Sequence, residues 1–373
     1  MNNSRNYCVI CLCDINHFYV VENVPIQSTC VPNPIFSSST LSFAQCPKCN
    51  TIQLDELIPL DILYAESHNT TSVGNVWKNY FELFTEQLQP LIENKNVLEI
   101  GCPSGKIALK MNNFQNYYIV DPNKNENIDF QQKNITFIQS FFDEKFKTDK
   151  KIDVIVHSHL FEHIYNPHLF LRTCSDILPE NGEMFFGVPN MSNLIESNTW
   201  PFMGVCFEHT IFLNEENISF LLKIHNFAII DIIYYEKHSV LYHCKKTTSK
   251  KETTSCKLTD YKNNFMESLI IYKKFIDRCN ICIVTTNKPV YIFGAGYNSQ
   301  ILLAMGIIHE KICGVLDNCK EKQDNYLYGF SLKVYSPNIL KDVDAIVILK
   351  NGYYCEEITQ QLYSINPNTE IIV

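Results

Sequence analysis

The sequence predicts an α/β protein: two parallel-sheet units in tandem behind a small cysteine-rich module. Three patterns carry that expectation. Short apolar strands alternate with helical stretches from residue 76 to about 245, and again beyond residue 258. A strand runs into a glycine-bounded turn twice, at Gly101–Gly105 and at Gly294–Gly296. Two C-x2-C pairs lie ahead of both.

The chain has 373 residues, length for about two or three domains. The boundaries fall at 1–60, 61–250 and 251–373. Net charge is −9 and there is no long basic run, which argues against nucleic acid or a membrane surface as partner. No stretch of about 18 apolar residues is present, and MNNSRNYC lacks the basic-then-apolar pattern of a secretory signal. A cytoplasmic protein, monomer or homodimer, is expected. The 16 cysteines then read as reduced thiols, some on metal and most buried.

The first helix runs through WKNYFELFTEQLQPLIE, with Trp77, Tyr80, Phe81, Phe84 and Leu88 near helical spacing. The strands NVLEI, NYYIV, ITFIQ, IDVIVHS and EMFFGV follow, consistent with a parallel, doubly wound sheet. Lys245 to Lys257 is polar and aperiodic and reads as a linker. A helix over LTDYKNNFMESLIIYKKFID leads into VYIF, ICGVLD, AIVIL and EIIV, the second unit.

Cys8, Cys11, Cys46 and Cys49 form two knuckles. The x2 spacing lets two thiolates of one tight turn reach one ion, and two such turns complete a tetrahedral zinc site. A module of about fifty residues has little core of its own, so a metal staple makes physical sense. Four thiolates leave no open position, so the expected role is structural. Cys13 and Cys30 are spare, though Cys13 could exchange with Cys11.

VLEIGCPSG spans Val97 to Gly105, a strand, a sharp turn and an expected helix. The next strand ends at Asp121, placed to accept both hydroxyls of a ribose. The loop reads E-x-G-x-x-x-G, short of the full diphosphate fingerprint, so a nucleoside amino acid is favoured over a dinucleotide. The pattern resembles motif I of class I methyltransferases. IDVIVHSHLFEHI with LRTCSDILPENGEMFFGVPN looks like the fourth strand, helix and fifth strand of that Rossmann-like fold.

The whole order is similar to the sugar C-methyltransferase family that acts on nucleotide-linked deoxysugars. The resemblance rests on C-x2-C…C-P-K-C with TIQLDELIP, on VLEIGCPSG, on CFEHTIFLN, and on FGAG…VLDNCKEKQDNYLYGFSLKVYSP. It implies a zinc-binding domain, an S-adenosylmethionine domain and a C-terminal Rossmann-like domain. It implies Zn2+ and S-adenosylmethionine as cofactors and a nucleotide sugar as substrate. Glu99, Gly101, Cys102, Gly105, Asp121, Pro122, Ser140 and His157 are the expected cofactor-binding set. In that family a Glu-His pair sits at the substrate. Here it is Glu208 and His209, with His209 the expected base, since an imidazole suits deprotonation near neutral pH. His163 looks like a cleft position and Tyr64 like one of the family's substrate-facing tyrosines. A second such tyrosine corresponds to His68, and Cys206 stands where the family has a tyrosine two residues before the Glu. Those departures leave carbon and oxygen both open as the methylated atom. His159 and His68 are the other imidazoles in reach of the cleft.

YIFGAGYNS, with Asp317 about 20 residues on, also fits a weak dinucleotide pattern without its third glycine. That spacing carries a rival reading, an NAD-dependent sugar-nucleotide oxidoreductase. A third is a non-catalytic binding protein on the same fold.

Overall fold

The computed structural model describes residues 3–64, 75–123, 134–196, 201–248, 258–350 and 352–373. His68 and most of the expected linker lie outside the described residues.

A seven-stranded sheet forms the middle of the molecule. Across it lie Ile135–Gln139, Asn116–Asp121, Asn96–Ile100, Val154–Ser158, Glu183–Pro189, Ser239–Lys246 and Phe227–Tyr235, or 3-2-1-4-5-7-6 in chain order. The first five strands are parallel. The last two form an antiparallel hairpin, and Ser239–Lys246 runs antiparallel to Glu183–Pro189. The sheet is therefore mixed, a correction to the purely parallel sheet expected. Only Glu236 to His238 separate the hairpin strands, and Glu236 is left-handed at φ 46°. So short a connection cannot carry a parallel crossover.

Each face of this sheet is covered. Helix Asn75–Ile92 buries Tyr80, Phe84, Leu88 and Ile92 against Val97, Ile119, Val156 and Phe185. Gly187 is required there: a Cβ would meet the Tyr80 hydroxyl at 2.1 Å. On the other face helices Pro167–Ile177 and Glu215–Ile224 cover Leu98, Ile100, Ile155 and Phe186. Both helices start on side-chain caps, Asn166 accepting from the Leu169 amide and Asn214 exchanging bonds with Asn217. The helix expected after Gly105 is only a 3-10 turn, Ala108–Lys110. Asn113, left-handed at φ 56°, turns the chain straight into the next strand.

The second unit is a five-stranded parallel sheet ordered Val334–Tyr335, Ile312–Leu316, Val290–Phe293, Ile346–Ile348, Glu370–Ile372. Helix Lys262–Thr285 leads into it and extends eight residues beyond the stretch expected.

The N-terminal module is a three-stranded antiparallel sheet, Asn16–Pro25, Ser38–Gln45 and Ile52–Leu54. It is wedged into both units. Its knuckle residues Val9 and Ile10 join the core of the middle unit. Its strand residues Leu41, Phe43 and Leu54 join a core with Phe265, Leu269 and Tyr272 of the long helix. Phe43 and Phe265 meet edge to face at 4.9 Å. Cys30–Val31 pairs antiparallel with Tyr326–Leu327 of the C-terminal unit. No helix among the described residues is long and apolar enough to cross a membrane.

Candidate active site

Most residues expected to bind the cofactor gather where the first strands of the middle sheet end. Ile100 pairs with Val120, so Gly101 and Asp121 emerge side by side where the first two strands end. The Gly101 amide donates to the Val120 carbonyl at 3.0 Å. Gly101 and Gly105 are both left-handed, at φ 78° and 57°, and a Cβ on Gly101 would meet Leu160 at 2.9 Å. Only glycine gives this turn its shape without strain. Glu99 is fully buried with neither carboxylate oxygen hydrogen-bonded, and burial pushes its carboxyl up to about 7. Burial also raises Asp121 to about 6, while its Oδ1 accepts the Asn123 amide. Cys102 is buried in the turn, and Pro122 and Ser140 flank Asp121, the Ser140 amide donating to the Asp121 carbonyl at 3.2 Å.

His157 is placed differently. It is 1% exposed, stacks on Phe186 at 4.7 Å and meets Phe170 edge-on at 5.3 Å, and neither ring nitrogen is hydrogen-bonded. Strand alternation turns this ring, expected at the cofactor, toward Phe170 of helix Pro167–Ile177.

The residues expected at the substrate converge from three parts of the chain. A 3-10 turn, Phe161–His163, follows the fourth strand and presents Glu162 and His163. The bend before Thr210 presents Glu208 and His209. Its shape is held by two bonds between Cys206 and His209, the Cys206 amide to the His209 carbonyl at 2.9 Å and the His209 amide to Cys206 Sγ at 3.4 Å. Tyr64 follows the module, and its hydroxyl lies 3.1 Å from His163 Nδ1. His163 and His209 meet edge to face at 4.6 Å. Glu162, His163 and His209 each bring a ligand-type atom within 4.8 Å of the others. Glu208 and His209 also line a cavity of about 110 Å³.

Glu162 and Arg5 escaped the sequence reading. Glu162 is fully buried, its carboxylate oxygens lack a hydrogen bond, and Oε1 lies 3.3 Å from His159 Nδ1. Burial pushes its carboxyl up, but His159, His163 and His209 outweigh that and hold it at about 2. Burial first, and His163 second, lowers His209 to about 4. The signal was an acid bracketed by imidazoles in HLFEH. Arg5 donates to the Thr210 hydroxyl at 3.1 Å and the Tyr165 carbonyl at 2.5 Å, tying both histidine segments to the module. It gave no sequence signal, because its partners lie 205 and 160 residues away.

The four knuckle sulfurs lie within 4.8 Å of one another, with Cys8 and Cys49 at 3.5 Å and Cys11 and Cys46 at 3.4 Å. Tetrahedral zinc with bonds of about 2.3 Å needs sulfurs about 3.8 Å apart, so the donor set fits that ion. Cys13 stays outside the set, its thiol directed at the Cys11 carbonyl, and Cys30 lies near Ala295 in the C-terminal unit.

The C-terminal glycine loop is closed on itself. Asp317, the residue a dinucleotide ribose would need, accepts the Ala295 amide at 2.8 Å and the Cys319 amide at 2.8 Å, with Lys322 at 3.7 Å. An acid so engaged does not favour the NAD reading.

Residues 75–232 match the family model described as a methyltransferase domain. The middle unit has the class I, Rossmann-like methyltransferase fold with its mixed sheet. A comparison with curated proteins finds no match. Among solved structures, the N-methyltransferase NodS of Bradyrhizobium japonicum WM9 is similar at 13% identity over 46% of this chain and 97% of that one, with TM-score 0.37. The 1,6-didemethyltoxoflavin-N1-methyltransferase of Burkholderia thailandensis is similar at 12% identity over 55% and 96%, with TM-score 0.42. The fold assignment rests on the strand order and the family-model match.

The buried His157 makes a specific pH dependence. Burial lowers it to about 3, below its unfolded value of 6.5, so between those values the unfolded chain binds more protons. Its contribution is therefore lost as pH falls from 6.5 toward 3. Unfolding free energies from urea titrations at pH 7, 5.5 and 4.5 should fall less steeply for His157→Phe, by up to about 1.4 kcal/mol per pH unit. Equal slopes would show that this imidazole does not sit neutral in the core.

Proposed function

We propose that the protein is an S-adenosylmethionine-dependent methyltransferase whose acceptor is a nucleotide-linked sugar, methylated at carbon or oxygen. One observation carries the reading. Leu160, which covers the Gly101 turn, is followed two residues on by Glu162 in the imidazole cluster, so cofactor loop and titratable cluster open beside each other. The sugar rests on the resemblance described above, and on an acceptor cavity bordered by a carboxylate, Glu208, suited to sugar hydroxyls.

When bound, S-adenosylmethionine supplies a methyl group made electrophilic by its sulfonium sulfur. Asp121 accepts ribose hydroxyls, and the Gly101–Gly105 turn lets backbone approach the ligand. Glu99, Cys102, Pro122 and Ser140 complete that side. On the acceptor side a proton must leave the nucleophile. His209, neutral near pH 7, takes it, and the ionised Glu162 beneath supplies the counter-charge for the imidazolium that forms. Glu208 holds the sugar, while Tyr64 orients His163 beside the base.

A second reading has its own observation. The grouping of Glu162, His163 and His209 would also suit a divalent cation, with His209 a ligand instead of a base. It predicts turnover that disappears on chelation and returns with Fe2+ or Mn2+ but not with Mg2+, which prefers oxygen ligands.

A screen of nucleotide sugars for the gain of one methylene tests the activity. His209→Asn should then lower turnover by about 10²–10⁴-fold with cofactor affinity intact. Near-wild-type turnover would refute the base. Asp121→Ala should weaken S-adenosylmethionine by about 1.5–3 kcal/mol in calorimetry, through loss of charge-assisted bonds. Unchanged affinity would place the ribose elsewhere.

We further propose that the four knuckle cysteines hold one structural zinc. Metal analysis should find about one zinc per chain, lost with the module's fold in Cys46→Ser. A folded, metal-free wild type would overturn it.

A further inference from the structure

The cavity beside Glu208 and His209 is not a property of the middle unit alone. Ser28 of the N-terminal module borders it, and so does Tyr297 of the C-terminal unit. Tyr297 is the first residue of helix Tyr297–Ala304, directly after the glycine loop. Its hydroxyl is buried and makes no hydrogen bond among the described residues, although Tyr297 borders the cavity. A buried hydroxyl without a partner is costly, and a ligand that completes the bond removes the cost. Burial also raises this phenol well above its ordinary value, so it stays a neutral donor.

The mounting of Tyr297 is rigid. Gln300, one turn along the same helix and fully buried, donates to the carbonyls of Gln27 and Tyr328 at 2.9 Å each. The loop ahead of Tyr297 is fixed by Asp317 and by Lys322, which donates to the Ala295 carbonyl at 2.9 Å. The backbone that carries the ring is held on both sides. Cys206 also borders the cavity. Cys206 Sγ accepts the His209 amide within the bend, so position 206 is committed to the backbone of the base itself.

We propose that Tyr297 is a further catalytic residue: its phenol donates a hydrogen bond to the acceptor oxygen on which negative charge develops as His209 removes the proton. This rests on the methyltransferase reading above. The proton passes from acceptor to imidazole, the methyl group passes from sulfonium to acceptor, and the S–CH3 electron pair remains on sulfur. Tyr297 transfers nothing; it stabilises the charged acceptor. The C-terminal unit thereby completes the acceptor site, which neither other unit can do alone.

Tyr297→Phe and Tyr297→Ala test this, assayed in the full-length protein with a nucleotide sugar that the wild type methylates. Tyr297→Phe removes one oxygen and leaves the packing. Its turnover should fall about 10- to 100-fold, with melting temperature and S-adenosylmethionine affinity unchanged and Tyr297→Ala little slower than the Phe variant. Tyr297→Phe within twofold of wild type in turnover would overturn the proposal, as would a loss confined to the Michaelis constant. Phe active but Ala slow would mean packing alone. Should the wild type methylate no nucleotide sugar, the functional reading fails first, and the Tyr297 assignment falls with it.

Discussion

The strand pairing between the N-terminal module and the segment after His209 is the constraint on which the site depends. The Leu54 amide donates to the Thr210 carbonyl and the Phe212 amide to the Ile52 carbonyl, each at 2.9 Å. This short ladder fixes the backbone immediately beyond the candidate base. Arg5 then bonds the Thr210 side chain and the Tyr165 carbonyl, so one guanidinium holds the chain after both His209 and His163. Burial lowers that guanidinium to about 10, and its bonds offset the desolvation that burial imposes. The module is thus less a separate domain than a brace for two loops of the middle unit.

The brace is anchored in turn at the knuckles. His168 on helix Pro167–Ile177 contacts the Ile10 carbonyl at 3.0 Å and His225 at 2.9 Å. The turn that carries Cys8 and Cys11 is therefore tied to two helices of the middle unit. A change in the knuckles would reach the candidate base through Arg5 and the Ile52–Leu54 strand. Such coupling needs no conformational change of the sheet, because the linking elements are short and packed on both sides.

Much of this was legible in the sequence. The five parallel strands of the middle sheet appear as short apolar runs, and Asp121 follows from the strand that ends on it. Glycine at 101 was readable because its turn needs a left-handed residue. The rest was hidden for specific reasons. The mixed hairpin depends on a three-residue turn that has no glycine, so nothing marks it. The packing of His157 was not legible, because a histidine at a strand end looks alike whether it faces a cleft or three phenyl rings. Glu162 was overlooked in favour of its neighbour His163, because its setting is completed by His209 from a distant segment. Arg5 reaches partners 205 and 160 residues away, and single-sequence spacing does not encode such contacts.

The bond from Gln300 to the Gln27 carbonyl joins residues 273 apart. At ribosomal rates of about 5–20 residues per second, the first partner waits roughly 15–55 s for the second to be made. During that interval the strands Asn16–Pro25 and Ser38–Gln45 exist without the long helix that later covers them. Leu41 and Phe43, fully buried at the end, are exposed to other nascent chains meanwhile. Order of synthesis thus sets a window of aggregation risk for this protein, and its length is fixed by how far along the chain the C-terminal unit lies.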